Sequence, residues 1–296
     1  MKQLTVALCA LLALSGCKAS QVATGVAADT GVITQEQKQS IDRSVEAVRQ
    51  SQEDLTEAEE YSIGRAVAAD IIARYGLVQN AALTAYVNRV GQAVVASSTR
   101  PEIYAGYHFA ILASDEPNAF AAPGGFIFVT RGMLRLCSSE DALASVLAHE
   151  VAHVANRHGL KAINKNRLLE AFSVIGNEAG KPLNQGDLLK LAELYDGAVG
   201  DVVKTLVESG YSREQETQAD ADAARFAAGI GYQPQALLAF LDRMAAQGES
   251  GSGGMFTTHP PAAARKAAVE PVIASLGAGT NPDARTARFQ DALAAL

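Results

Sequence analysis

His149-Glu150-Val151-Ala152-His153 places two imidazoles four residues apart with a carboxylate between them. On a helix each residue turns ~100°, so positions four apart lie ~40° apart on one face and both rings can reach the same metal ion. Glu150 is then beside the ion but turned away from direct ligation. A carboxylate there can take a proton from an attacking water, the general-base role in metal-assisted hydrolysis.

The flanking residues make this stretch a helix. Leu143, Val146, Leu147, Val151 and Val154 recur at three- and four-residue steps, which predicts one buried stripe, with the His149 and His153 edge bordering a cleft. Ser138 is the expected start, with Asp141 as its capping-box partner and Glu140 favourably placed for the dipole; Gly159 is the expected end. His158, in the last turn, is explained by the preference of a helix C-terminus for a cation and carries no metal role. His108 lies in a strand pattern and is assigned nothing.

Two imidazoles do not complete a catalytic metal site, which takes three protein donors and leaves a position open. The best third donor lies in Ser212-Arg213-Glu214-Gln215-Glu216-Thr217-Gln218-Ala219-Asp220. Ser212 and Gln215 form a helix-starting capping box, and Glu216 falls in the first turn. Glu216 and Asp220 share a face at i and i+4. Ala219, Ala221, Ala223 and Ala224 allow another helix to approach closely. Taken alone, these two acids read better as part of a solvated helix surface.

Together the two stretches resemble the M48 family of zinc metallopeptidases, whose H-E-x-x-H pattern is followed downstream by S-R-x-x-E-x-x-A-D. Every fixed letter of both is present. Asn118-Ala119-Phe120-Ala121-Ala122-Pro123-Gly124-Gly125 looks like that family's strand beside the cleft, and Thr258-His259-Pro260 with Arg265 looks like its late H-P-x-x-x-x-R element. The resemblance spans about residues 56 to 276.

It implies an α+β, mainly helical, zincin-like domain with a small sheet at the cleft. It implies one zinc ion held by His149, His153 and Glu216, Glu150 as catalytic base, and Asp220 orienting a zinc-binding histidine. His259 is implied as a donor to the oxyanion. A second expectation is that its imidazole occupies the open metal position in a resting state. Asn118, Ala119, Phe120 and Ala121 are expected to bind substrate by pairing with an extended, unfolded polypeptide.

The rest of the chain sets the compartment. Lys2 precedes an apolar run from Leu4 to Leu14, too short for a bilayer span, so residues 1 to 16 read as a signal peptide. Leu14-Ser15-Gly16-Cys17 resembles the bacterial lipobox, which makes Cys17 the acylated first residue of a lipoprotein. Lys18 in place of aspartate points to the outer membrane of a Gram-negative bacterium, with the protein on the periplasmic side. Cys9 leaves with the signal, so Cys137 is the only thiol of the folded part and reads as a small buried hydrophobe. The formal charge of −7 and the lack of a basic cluster argue against nucleic acid, and membrane attachment rests on the lipid alone.

Residues 17 to 55 read as a tether and leading helix, with helical spacing at Ile41, Val45, Val48 and Leu55. Helices are expected at about 57 to 75 and 80 to 97. Strands are expected at Tyr107 to Leu112 and Phe126 to Val129, joined around a turn. Past Leu136 helices dominate, with breaks near Gly159, Gly180 to Gly186, Gly210, Gly229 to Gly231 and Gly248 to Gly254. The tail from Gly277 to Leu296 reads as either a docking helix or a frayed end. The leading function is a zinc-dependent endopeptidase acting on unfolded or misassembled envelope proteins; the alternative is a non-catalytic periplasmic chaperone or outer-membrane assembly factor with a structural metal site.

Overall fold

The computed structural model describes residues 55–163, 185–248 and 255–294, together with Thr34, Arg167 and Leu296. The expected signal peptide, Cys17, nearly all of the tether, the 180–184 break and residues 249–254 lie outside the described residues.

Helix α1 (Glu57–Tyr75) starts on a reciprocal capping box between Thr56 and Glu59, and α2 (Ala81–Ala96) starts on Asn80, whose side chain accepts from Leu83 N–H. Such caps satisfy amide groups that the first helical turn leaves unpaired. Strand β1 (His108–Leu112) runs parallel to β3 (Phe126–Thr130), and β2 (Ala119–Ala122) runs antiparallel to β3, giving the order β1-β3-β2. The expected strands at Tyr107 to Leu112 and Phe126 to Val129 are therefore parallel neighbours. The turn at Pro123–Gly125 joins β2 to β3 instead. Gly124 has φ +67°, and a Cβ on it would lie 2.6 Å from Tyr61 Cα, so only glycine lets α1 pack backbone to backbone against this turn.

Short helix α3 (Arg131–Leu136) leads into α4 (Glu140–Ala155), followed by α5 (His158–Lys161). The α4 cap is Ser139, whose side chain accepts from Ala142 N–H, one residue later than expected. The helix ends at Ala155 because Arg157 adopts a left-handed conformation (φ 55°), and Gly159 falls inside α5. Every residue from Glu140 to Val154 is buried, so α4 is a central helix rather than one with a single covered stripe. Its Leu143, Leu147 and Val151 are fully enclosed, each contributing on the order of 2 kcal/mol of burial.

The chain continues through α6 (Gln185–Lys204), which runs into a wider π-type turn at Thr205–Ser209, then α7 (Arg213–Gly229), α8 (Gln235–Gly248), α9 (Met255–Thr258), α10 (Ala262–Ala274) and α11 (Pro282–Leu293). Helix α7 opens on the expected Ser212–Gln215 capping box. Its Ala219, Ala223 and Ala227 are fully buried where it packs along α4. The absence of larger side chains there lets the two helices come close. Helix α11 docks: Phe289 is buried, Arg285 grips Asp141, and Arg288 grips Glu140, on which the Tyr86 and Tyr232 hydroxyls also converge. The tail is thus a docking helix.

The chain divides into two compact units, 1–54 with 165–195 and 55–164 with 196–296. In the first, Leu188, Leu189 and Tyr195 of α6 are exposed. The second holds the sheet, the central helix and the site below. Among the described residues no helix is long and apolar enough to cross a membrane.

Candidate metal centre

The i, i+4 step on α4 delivers the two imidazoles side by side, His149 Nε2 lying 3.0 Å from His153 Nε2. The first turn of α7 brings Glu216 to both: its Oε2 is 3.5 Å from His149 Nε2 and its Oε1 is 3.5 Å from His153 Nε2. All three residues are about 1 % exposed. His259, just past α9, adds Nδ1 at 2.6 Å from Glu216 Oε2. His149, Glu216 and His259 have donor atoms within 4.8 Å of one another.

The far side of the site holds His149 in place. Asp220, one turn beyond Glu216 on α7, has Oδ1 at 2.9 Å from His149 Nδ1. Arg265 of α10 donates to both Asp220 oxygens, at 2.9 and 2.6 Å. A carboxylate on Nδ1 holds a proton there, so Nε2 is the nitrogen left to ligate a metal. Burial and Arg265 oppose protonation of the ring, but Asp220 and Glu216 outweigh them and push it up to about 9. His149 Nε2 faces a carboxylate whose Oε1 is buried without a hydrogen-bond partner among the described residues. Buried anionic oxygens and nitrogen lone pairs do not converge stably without a positive centre, so this donor set fits a divalent cation.

Charge follows geometry. Burial, opposed by the neighbouring His149, pushes the Glu150 carboxyl up to about 7. Its Oε1 is also buried without a hydrogen-bond partner among the described residues. Burial acts against ionisation of Glu216 and Asp220 too, but His259 and His149 around the first and Arg265 around the second outweigh it and hold both well below the usual carboxylate range. Burial, reinforced by His149, drives His153 far below the ordinary imidazole value.

Asn118, Ala119, Phe120 and Ala121 lie on or beside β2, the sheet edge behind α4. All four are buried, and the Tyr211 hydroxyl donates to the Ala121 carbonyl at 3.4 Å. The Thr205–Ser209 turn packs against the same strand. Cys137 is buried, which pushes its thiol up to about 12.

Three residues here escape sequence reading. The Tyr211 ring stacks on His153 with centroids 4.2 Å apart and planes 17° apart. His158 is wholly enclosed beside His153, and Gln218 of α7 faces it. The only signal for Tyr211 was its place before the Ser212 cap. His158 gave none, since five residues after His153 is the wrong face of a continuing helix.

Comparison with known proteins bears on the same region. A family model described as Peptidase family M48 matches residues 81–272. A beta-barrel assembly-enhancing protease of Yersinia pestis is 29% identical over 190 residues, covering 62% of this chain and 37% of that protein. Mitochondrial metalloendopeptidase OMA1 of Schizosaccharomyces pombe is 33% identical over 189 residues, covering 63% and 52%. The beta-barrel assembly-enhancing protease of Escherichia coli K12 is 26% identical over 186 residues, covering 62% and 37%. The chain thus spans only about a third to a half of the length of these relatives. With nearly two thirds of its residues matched by the family model, and with both motif stretches inside that match, this chain belongs to peptidase family M48, a family of metallopeptidases.

Proposed function

We propose that this chain is a zinc-dependent endopeptidase that hydrolyses peptide bonds of unfolded or misassembled cell-envelope proteins. The observation that carries this is the convergence of His149, His153 and Glu216, from two helices, beside a buried Glu150 whose Oε1 has no hydrogen-bond partner among the described residues. His149, His153 and Glu216 would hold the ion, and Asp220 with Arg265 would keep His149 oriented. Bound zinc supplies Lewis acidity, polarising a substrate carbonyl and lowering the pKa of water from 15.7 toward ~7. Glu150 accepts the proton of the attacking water and returns it to the leaving amine, the general-base and general-acid role of a carboxylate held beside the reacting atoms.

His259 occupies the donor cluster through Glu216, which favours the resting-state role over oxyanion donation. With Nδ1 on that carboxylate, donation to an oxyanion would have to come from a proton on Nε2. Pairing of an extended peptide with β2 similarly requires the Thr205–Tyr211 segment to move off the strand. The envelope assignment draws on the names of the bacterial relatives and on the signal and lipobox pattern at residues 1 to 17. We place the protein in the periplasm of a Gram-negative bacterium, anchored to the outer membrane by acylated Cys17, without nucleic-acid partners. Loss of palmitate labelling in Cys17→Ser tests the anchor.

Cleavage of unfolded casein by the purified chain, with and without chelator, tests the activity. Glu150→Gln is expected to lose about 10²–10⁴-fold in rate while keeping its zinc. Cleavage that survives in this variant defeats the mechanism. Zinc uptake with no cleavage by the unaltered protein favours an assembly factor or chaperone instead.

A further inference from the structure

We propose that His158 is a positioning residue that fixes the tautomer of His153, forming a second anchor for the metal site opposite Asp220. The inference rests on the reading of His149, His153 and Glu216 as metal ligands. His158 Nδ1 lies 2.9 Å from His153 Nδ1, with ring centroids 4.9 Å apart and planes at 71°. Two facing nitrogens at that distance cannot both carry protons, so one donates and the other accepts.

The direction follows from the rest of the ring. His153 Nε2 points at His149 Nε2 and Glu216 and must be bare to ligate a cation. The single proton of the neutral ring is then on Nδ1, and His158 Nδ1 accepts it. His158 keeps its own proton on Nε2, which faces the Gln218 side-chain oxygen at 3.4 Å. Gln218 Nε2 donates onward to Asn156 Oδ1 at 2.8 Å, and Asn156 Nδ2 donates to Asp222 Oδ2 at 2.9 Å. Every donor along this chain meets an acceptor. Gln218 sits on α7 between Glu216 and Asp220, so the relay also ties the second imidazole to the helix that carries the third ligand.

A break in the helix is what makes this contact possible. In an unbroken helix, a residue five beyond His153 would point ~140° away from it. Arg157 turns the chain back through a left-handed conformation that residues with a Cβ seldom adopt (φ 55°, ψ 35°). Its own side chain holds that turn: Nε donates to Glu60 Oε2 at 3.0 Å, and Nη2 donates to the Leu55 carbonyl. Buried Glu60 also accepts from Gly124 N–H and from Arg100. The placement of His158 is therefore tied, through Arg157, to the buried Glu60 of α1.

The test compares His158→Phe with His158→Asn in the full chain, because an asparagine oxygen can stand where the imidazole Nδ1 accepts and a phenyl ring cannot. Zinc affinity is measured by competition with a chromophoric chelator, and ring tautomers in the zinc-loaded wild type by long-range ¹H–¹⁵N spectra. His158→Phe is expected to weaken zinc binding about 10–100-fold, while His158→Asn stays within about threefold of wild type. The spectra are expected to show the proton of His158 on Nε2. Undiminished affinity in a folded Phe variant overturns the inference, as does a wild-type His158 protonated on Nδ1; the spectrum decides even if the Phe variant does not fold. A wild type that takes up zinc but cleaves nothing defeats the hydrolase reading and leaves this one standing, whereas a wild type that takes up no zinc overturns both.

Discussion

The Asp220 carboxylate pairs with His149 Nδ1, at 2.9 Å, and with the Arg265 guanidinium, which bonds both of its oxygens and brings Nη2 within 3.3 Å of the same His149 nitrogen. One anion thus orients an imidazole and neutralises a buried cation. Asp220→Asn is expected to lower zinc affinity about 10–100-fold by loosening His149, and to destabilise the fold by about 3 kcal/mol by leaving Arg265 buried without its counter-charge. Chelator competition and thermal unfolding read the two effects separately; full affinity in a folded variant would show that His149 needs no such partner.

The contact between His259 and Glu216 is a charge-assisted hydrogen bond inside the donor cluster. Such a bond is worth roughly 1.4 kcal/mol or more, so its loss can free about tenfold more open site. His259→Ala is expected to raise basal cleavage of unfolded casein by up to about that factor. A fall in activity would instead make His259 a donor in the reaction.

Gly210 has φ +70°, and a Cβ on it would lie 1.8 Å from the Thr258 carbonyl oxygen. Gly210→Ala is expected to cost about 1–3 kcal/mol of stability and to displace the residue next to His259. Cleavage should rise as in His259→Ala while the melting temperature falls. Unchanged cleavage at a lowered melting temperature would separate this turn from the closure of the site.

Glu140 takes hydrogen bonds from Tyr86, Tyr232 and Arg288 at the start of α4. Burial opposes its ionisation, but Arg288 and the two hydroxyls outweigh burial and hold its pKa below the ordinary 4.5. A carboxylate with a folded pKa below its unfolded one contributes stability that is complete above the unfolded value and is lost as pH falls through the folded one. Glu140→Gln is expected to cost about 2–4 kcal/mol at pH 7, and the gap in melting temperature from wild type should narrow below about pH 4.5. A gap that stays constant with pH would mean that the cluster acts through shape alone.

Much of the site was legible because its signals are local. The spacing of His149 and His153, the Ser212–Gln215 capping box, and the pairing of Glu216 with Asp220 each fall within one or two helical turns, where 3.6 residues per turn settles which side chains share a face. The extents of α1 and α2 were readable for the same reason, from helical patterning, whereas their Thr56 and Asn80 caps appear only in the structure. The expected single stripe on α4 gave way to burial on every side, because how many neighbours surround a helix is not written in its own period.

The chain by itself determined the helix, the donor types and their local order. Only tertiary packing decided that β1 pairs with β3, that β2 lies covered by Tyr211 and the Thr205–Ser209 turn, and that His259 reaches Glu216. His158 shows the division most clearly. Its contact with His153 depends on a left-handed turn at Arg157, held by Glu60 nearly a hundred residues earlier, and no local periodicity can specify a conformation stabilised from so far along the chain.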